Sequence, residues 1–472
     1  MENSVRQERM EHDSLGPVSI PAGAYFGAQT ARGIANFPIS GIRINHFPVF
    51  IQALASVKMA AARANARLGS LDASRADVIC RVCEEILTGR HLEDFPLDVF
   101  QGGAGTSTNM NINEVIANRG LELLGLPRGR YDALHPNDDV NCAQSTNDVY
   151  PTAIRIAILQ SHGHLSQALQ RLVDALEGRA EAFSRVVKLG RTQLQDAVPM
   201  TLGQEFGAFA ATLREDIARL GEIAAIFREI NLGGTAIGTG INASREYQDI
   251  AVAELGRITG LPLVAAGDLI EACWDTGAFV LFSGMLKRTA TKLSKICNDL
   301  RLLSSGPRGG LGEINLPPLQ PGSSIMPGKV NPVAPEVVNQ VVFQVIGYDL
   351  AITLASEAGQ LQLNVMEPVI VYNILHALEL LTNAVDVLRT KCVSGITANP
   401  EACRRHLESS AALATALTPH IGYARAAEIA KTMLKSGKGI REVLEGYSDL
   451  PPGFMDIIDD PLRLVRPHSN VP

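Results

Sequence analysis

Apolar residues recur at steps of three, four and seven along five long stretches of this chain. From Pro151 to Val187 the stripe is Ile154, Ile158, Leu165, Leu169, Leu172 and Leu176, with almost no Gly or Pro between them. That rhythm is the signature of a helix with one buried face. Thr201–Ile230 behaves alike. So does Gly277–Leu303, where Phe279, Phe282, Leu286, Leu293, Ile296, Leu300 and Leu303 step in threes and fours. Pro335–Gln360 and Pro368–Val393 complete the set. At 1.5 Å per residue these helices would be roughly 40 to 55 Å long, far beyond the ~11–12 residues of an average helix. Long, sequential, striped helices predict an all-α bundle. No alternating pattern predicts a strand of useful length.

Shorter elements precede the bundle. Phe47–Leu68 predicts a helix with Val49, Leu54, Val57 and Ala61 on one face, and Ala73–Thr88 predicts another through Val78, Val82 and Ile86. The first residues, punctuated by Pro17, Pro21, Gly23 and Gly27, read as irregular. Between the third and fourth long helices, residues 306–335 hold seven prolines and six glycines. A connection of that length and composition inside a compact domain is a binding loop or a disordered linker. Ile314, Leu316, Leu319, Ile325, Met326 and Val330 could anchor it, which favours the binding loop. The expected division is an N-terminal, mostly helical domain (1–148), a central long-helix domain (149–398) with its loop at 306–335, and a small C-terminal helical domain (399–472).

Composition narrows the function. The 472 residues include 46% hydrophobic and 19% charged residues, an ordinary globular balance. A net charge of −7 and a single Trp argue against a nucleic-acid partner. Residues 1–20 are polar, without the apolar core of a signal peptide. Uninterrupted apolar runs such as Ala278–Phe282 fall far short of the ~18 residues of a membrane span. No membrane partner and a cytoplasmic location are expected. Seven scattered cysteines form no secreted disulfide framework, and Cys80-x-x-Cys83 lacks a second pair for zinc. The histidines are scattered too, so no metal ligands are read.

Four polar clusters remain: Gly105–Asn111, Gln144–Asp148, Gly190–Asp196 and Gly322–Pro332. Ser, Thr and Asn ahead of a helix are ordinary N-caps, and Ser145 or Thr146 can be only that. Yet helix N-termini also bind anions through free N–H groups. Hydroxyls, amides and one Lys, gathered together, would suit a small carboxylate. The Gly-rich run Gly233–Gly240 follows a helix rather than a strand, which is the wrong context for a dinucleotide fingerprint.

The run GSSIMPGKVNP (322–332) closely resembles the signature loop of the aspartase/fumarase superfamily. The resemblance continues through GGAGTSTNMN (102–111), QSTND (144–148), GRTQLQDAVPMTLGQEF (190–206), GGTAIGTGIN (233–242) and SKICNDLRLLSSGPRGG (294–310), covering essentially the whole chain. VAPEVVNQV (333–341), QLQLNVMEPVI (360–370) and Thr192-Gln193-Leu194, where fumarases carry a histidine, resemble the aspartate ammonia-lyase branch. The resemblance implies three all-α domains and a homotetramer with a twenty-helix core, whose active sites are each built from three subunits. It implies reversible deamination of L-aspartate to fumarate and ammonia, by removal of a C3 proton to give an aci-carboxylate. Ser323 is the implied base. Lys329, Asn331, Ser324, Ser145 and Thr146 are implied on the substrate carboxylates. Thr106, Asn147, Thr192 and Gln193 are implied at the amino group or the second carboxylate. No cofactor is implied, because the substrate's own carboxylate is the electron sink. The rival readings are a class II fumarate hydratase and, in a different class, a non-catalytic helical assembly. Gln193 tilts the choice to the ammonia-lyase, since Gln is no general acid at neutral pH.

Overall fold

The computed structural model of the protein describes residues 8–447 and 454–465. Its first element is a hairpin, β1 (Glu8–Asp13) against β2 (Gly16–Pro21), followed by helices α1 (Ala28–Asn36), α2 (Pro48–Leu68), α3 (Ala73–Leu87) and α4 (Thr106–Leu123). The long helix α5 runs Thr146–Ala182. A second hairpin, β3 (Val187–Thr192) and β4 (Gln195–Thr201), leads into α6 (Leu202–Ala224). Short strands β5 (Glu229–Ile230) and β6 (Val264–Ala265) pair in parallel around α7 (Arg245–Thr259). The short α8 (Glu271–Trp274) precedes α9 (Gly277–Leu303). Strand β7 (Ile314–Asn315) precedes α10 (Val333–Glu357) and α11 (Glu367–Lys391), then pairs with β8 (Thr397–Ala398). Helices α12 (Pro400–Ser409), α13 (Ala412–Ala416), α14 (Thr418–Ile421), α15 (Tyr423–Ser436), α16 (Ile440–Leu444) and α17 (Phe454–Asp459) follow.

The protein is all-α in class, and its five long helices match the five striped stretches. Local chemistry sets their ends. Asp72 caps α3 by accepting from the N–H groups of Ser74 and Arg75. Gly69 closes α2 with φ 74°, a left-handed conformation that Gly adopts without a steric cost.

Two expectations need correction. The N-terminal segment is a hairpin rather than irregular chain, and residues 187–201 form a hairpin where only a polar connection was read. The short strand β5 also stands directly before the Gly-rich run. Helix α5 begins at Thr146, so Pro151 lies inside it. A proline has no N–H for the carbonyl four residues back. That carbonyl, of Asn147, accepts instead from Nδ2 of Asn231 at 3.0 Å.

The chain divides into two units. One comprises Met1–Leu165, Arg219–Lys287 and Gln344–Glu379. Here α2 lies against α3 and α7. Ser283 of α9 donates to Asp349 of α10 at 2.8 Å, and Tyr348 of α10 meets His376 of α11 at 2.9 Å. The Arg155 guanidinium of α5 lies 5.5 Å from the Phe279 ring centre. Arg155 also faces the fully buried Glu367, whose carboxyl is pushed up to about 8 by burial, against the pull of that arginine.

The other unit comprises Ser166–Ala218, Arg288–Phe343 and Leu380–Pro472. In it Arg171 of α5 pairs with Asp386 of α11 at 3.0 Å, Lys292 of α9 with Asp216 of α6 at 2.7 Å, and Asn339 of α10 with Ser294 of α9 at 2.8 Å. Leu189 of β3 joins a core made by the C-terminal helices: Leu407, Leu413, Leu417, Ile429, Met433, Ile440 and Leu444. Burying such a side chain contributes roughly 1.5–3 kcal/mol, so the second hairpin is seated firmly on that core.

Helices α10 and α11 are each long and apolar enough to cross a membrane by length and composition alone. Most of α11 is buried as a core helix, and α10 carries the paired Asp349 in its middle.

Candidate active site

In the first unit the candidate residues sit at two helix N-termini. Gly105, with φ 86°, precedes α4, and Thr106 opens that helix, its hydroxyl donating to the Gly103 carbonyl at 2.7 Å. A Cβ at Gly105 would fall 2.5 Å from the Tyr150 ring, so only glycine lets α4 start this close to α5. Ser145 precedes α5 as a reciprocal cap. Its Oγ accepts from the Asn147 N–H at 3.2 Å, while its own N–H donates to Oδ1 of Asp148 at 2.9 Å. Thr146 accepts from Nδ2 of Asn109 of α4 at 3.2 Å, which ties the two N-termini together. Asn147 donates from Nδ2 to the Ala236 carbonyl at 2.8 Å. The capping reading of Ser145 thus holds: the N–H groups of Asn147, Asp148 and Val149 all find acceptors on it.

Asp148 and Lys58 hold this arrangement, and the sequence reading singled out neither for that task. Asp148 is fully buried and also accepts from the N–H groups of Gly233 at 3.0 Å and Thr235 at 3.1 Å. The Gly-rich run is therefore a backbone clamp on the α5 N-terminus. Burial pushes the Asp148 carboxyl up to about 6, offset in part by those N–H bonds. Lys58, equally buried, donates to Asn141 at 2.9 Å and Gln144 at 3.0 Å, and burial brings its ammonium down to about 7. The signal in sequence was a lone Lys on the apolar stripe of α2.

In the second unit, Gly322 and Asn331 close the signature loop at its neck. The Gly322 N–H donates to the Lys329 carbonyl at 2.8 Å, and Asn331 donates from Nδ2 to the Gly322 carbonyl at 2.9 Å. A Cβ on Gly322 would come within 2.8 Å of that Lys329 oxygen, so the neck needs glycine. Ser323 is half-buried, and its Oγ accepts from the N–H groups of Ile325 at 3.2 Å and Met326 at 3.0 Å. Two backbone dipoles pointing at one hydroxyl oxygen stabilise negative charge there. Ser324 and Lys329 are exposed. Lys329 and Asn331 line a cleft of about 740 Å³ together with Asn298, Arg301 and Ser305. Arg301, not singled out by the sequence reading, adds a second cation to it.

Thr192 ends β3, and Gln193 with Leu194 makes the two-residue tip of its hairpin. Both tip residues have positive φ, 53° and 64°. A tip of that shape is normally Asn-Gly, so it holds Gln193 in a costly conformation, exposed at the end of the hairpin.

The base of the hairpin and the base of the loop share one buried charge. Glu313 has no exposed surface. It pairs with Lys188 at 2.9 Å, Arg191 at 2.7 Å and His406 at 3.0 Å, and Lys188 also pairs with Glu205 at 2.6 Å. Burial pushes the Glu313 carboxyl up, but Lys188, His406 and Arg191 together outweigh it and hold it below its ordinary range. Strands β3 and β7 and helix α12 therefore meet on one carboxylate.

Comparison with known proteins gives the family. A family model described as Lyase matches residues 16–347, and one described as Fumarase C C-terminus matches residues 413–466. Curated relatives named aspartate ammonia-lyase are 59% identical over 98% of both chains in Pseudomonas aeruginosa, and 51% identical over 99% of this chain and 97% of the relative in Escherichia coli. The chain belongs to the aspartase/fumarase superfamily. Solved structures of the superfamily share its fold. One, described as fumarate lyase:delta crystallin from Brucella melitensis bound to cobalt, is 60% identical with a TM-score of 0.95 over 98% of this chain and 100% of that one. A class II fumarase from Schistosoma mansoni is 36% identical with a TM-score of 0.91 over the same shares.

The Glu313 hub makes a prediction. Glu313→Gln keeps the shape but leaves Lys188 buried beside a neutral amide, which should cost about 3–5 kcal/mol. A carboxyl held below its ordinary value of 4.5 stabilises the fold above that pH and stops doing so as pH falls through its lowered value. Urea unfolding should show a large stability gap between wild type and Glu313→Gln at pH 7, shrinking in acid below 4.5. A gap that stayed constant with pH would mean that the charge on Glu313 does not hold these strands.

Proposed function

We propose that this chain is an aspartate ammonia-lyase that converts L-aspartate reversibly to fumarate and ammonia. The observation that carries the choice within the superfamily is the agreement of the curated relatives, all at 51–59% identity over nearly the full chain. The class II fumarase is the more distant relative at 36%, and Gln193 supports the same branch.

The reaction removes a weakly acidic proton from C3 and builds extra charge on the adjacent carboxylate. It needs a strong base and preorganised donors. Ser323 is the base in our reading. An ordinary serine hydroxyl is too weak, but the N–H groups of Ile325 and Met326 already point at its Oγ, where an alkoxide would carry its charge. Lys329 and Asn331, with Ser324, take one substrate carboxylate. The α5 N-terminus takes the other, through the hydroxyls of Ser145 and Thr146. Thr106, Asn147, Thr192 and Gln193 surround the amino group. Ammonia leaves from an already protonated amine, so Gln193 need only position it. No prosthetic group is required.

These residues come from four polar segments on separate elements, and we read each active site as shared by three subunits of a homotetramer. Helix α10 supports that reading. Phe343, Leu350 and Leu354 lie at steps of seven and four and are 65%, 61% and 60% exposed. An apolar stripe of that kind marks an interaction surface. The three-domain division at 148 and 398 and a cytoplasmic location belong to the same proposal.

Two measurements check it. Purified enzyme should form fumarate, followed by absorbance, faster from L-aspartate than from L-malate. Faster turnover of L-malate would replace this reading with the hydratase. Ser323→Ala should lower turnover by at least ~10²-fold, the low end for lost acid–base catalysis, with substrate binding retained. Lys329→Ala should weaken binding as well, because it removes a charge-assisted contact. A folded Ser323→Ala enzyme with near-normal turnover would remove Ser323 as the base.

A further inference from the structure

Ten histidines scattered along 472 residues give no metal motif in sequence. The fold gathers two of them with a carboxylate. His46 ends a short 3-10 turn (Ile44–His46) before α2. His376 and Glu379 are spaced three apart on α11 and so share one face of it. One ligand atom from each of the three lies within 4.8 Å of those of the other two. We propose that His46, His376 and Glu379 form a binding site for a divalent transition-metal ion.

The donor set fits that class. Two imidazoles and one carboxylate suit zinc, cobalt, nickel or copper, whereas magnesium and calcium prefer all-oxygen sites. His46 Nε2 already faces Oε2 of Glu379 at 3.0 Å, so a metal would replace the proton between them. His376 is prepared as a ligand. Its Nδ1 lies 2.9 Å from the Tyr348 hydroxyl, and with the ring proton on Nδ1 and donated to that oxygen, Nε2 carries the lone pair. Bonding of the second ring nitrogen is the usual support of a ligating histidine. Its ring also packs against both Tyr348 and Tyr372, with centroids at 5.6 and 5.5 Å, which fixes its plane. Burial lowers its affinity for a proton, with Glu379 opposing and His46 adding to that effect, and a metal binds the neutral ring.

Metal–nitrogen and metal–oxygen bonds of about 2.0–2.2 Å need ligand atoms only ~3–3.5 Å apart. The site must therefore contract by up to about 1.5 Å. The two groups that would move are free to do so, since the His46 and Glu379 side chains are 46% and 41% exposed. His376 stays as the fixed point. The remaining positions on the metal face solvent and would hold water, so the site would clamp the turn before α2 to α11. None of these residues belongs to the proposed catalytic set, and the site stands whichever substrate the enzyme prefers.

The test is a titration of tag-free, chelator-stripped protein with CoCl₂, read by visible d–d absorption and by calorimetry. Wild type should bind one cobalt per chain with a visible band that fades in acid, where protons compete for the imidazoles. His46→Ala and Glu379→Gln change exposed groups and should keep the melting temperature of the metal-free protein. Each should weaken cobalt binding by more than the ~10–100-fold that loss of a supporting partner alone can cause. Absence of a band in wild type, or equal binding by both variants, would reduce the cluster to an ion pair beside a His–Tyr hydrogen bond and overturn the proposal.

Discussion

The second unit of this protein depends on a carboxylate that never meets solvent. Glu313 costs several kcal/mol to bury as a charge, and that cost is offset only while Lys188, Arg191 and His406 all keep their places. The constraint is therefore mutual. Lys188 and Arg191 fix β3, whose end carries Thr192 and the strained Gln193 tip. Glu313 itself adjoins β7, at the base of the loop that carries Ser323, Lys329 and Asn331. His406 brings in α12. One charge cluster thus ties the β3–β4 hairpin, through Lys188 and Arg191, to the base of the 306–335 loop, through Glu313.

In the first unit the same logic runs through backbone N–H groups. Asp148 draws in Ser145 from one side and Gly233 and Thr235 from the other. Pro151 withholds one helical N–H, and the Asn147 carbonyl it would have served is taken by Asn231. The result is a helix start held from behind, with the N–H groups of Asn147, Asp148 and Val149 already satisfied by Ser145.

The long helices were legible in the sequence because their apolar stripes persist for twenty or more residues; Gly277–Leu303 was read with both ends correct. The hairpins were not, for physical reasons. The tip Gln193-Leu194 contains no Gly or Asn to announce a turn, and β3 buries Lys188 as well as Leu189, so its inward face does not read as apolar. The polar clusters were found as clusters, and the helix-terminal setting of Ser145 was foreseen, whereas 102–113 was read as a polar run and the helix that starts at Thr106 was not. The residues that hold them were not. Asp148, Lys58 and Glu313 are charged groups whose partners lie far off in sequence, and no local spacing reveals such a pair. The signature loop is the opposite case. Gly322 bonds to Lys329 and Asn331, and Ser323 to Ile325 and Met326, all within ten residues, so the sequence and the structure describe the same local object.

The central claim is that Ser323 and Ser145 act in one active site while belonging to different subunits. It is tested most directly by subunit hybridisation. Ser323→Ala and Ser145→Ala enzymes, each folded and each nearly inactive toward L-aspartate, are unfolded together, refolded and assayed for fumarate formation. Mixed tetramers would contain sites that draw both serines from unmutated subunits, so the account predicts that activity returns well above either variant refolded alone. Mixed tetramers that form and remain as inactive as their parents would contradict it.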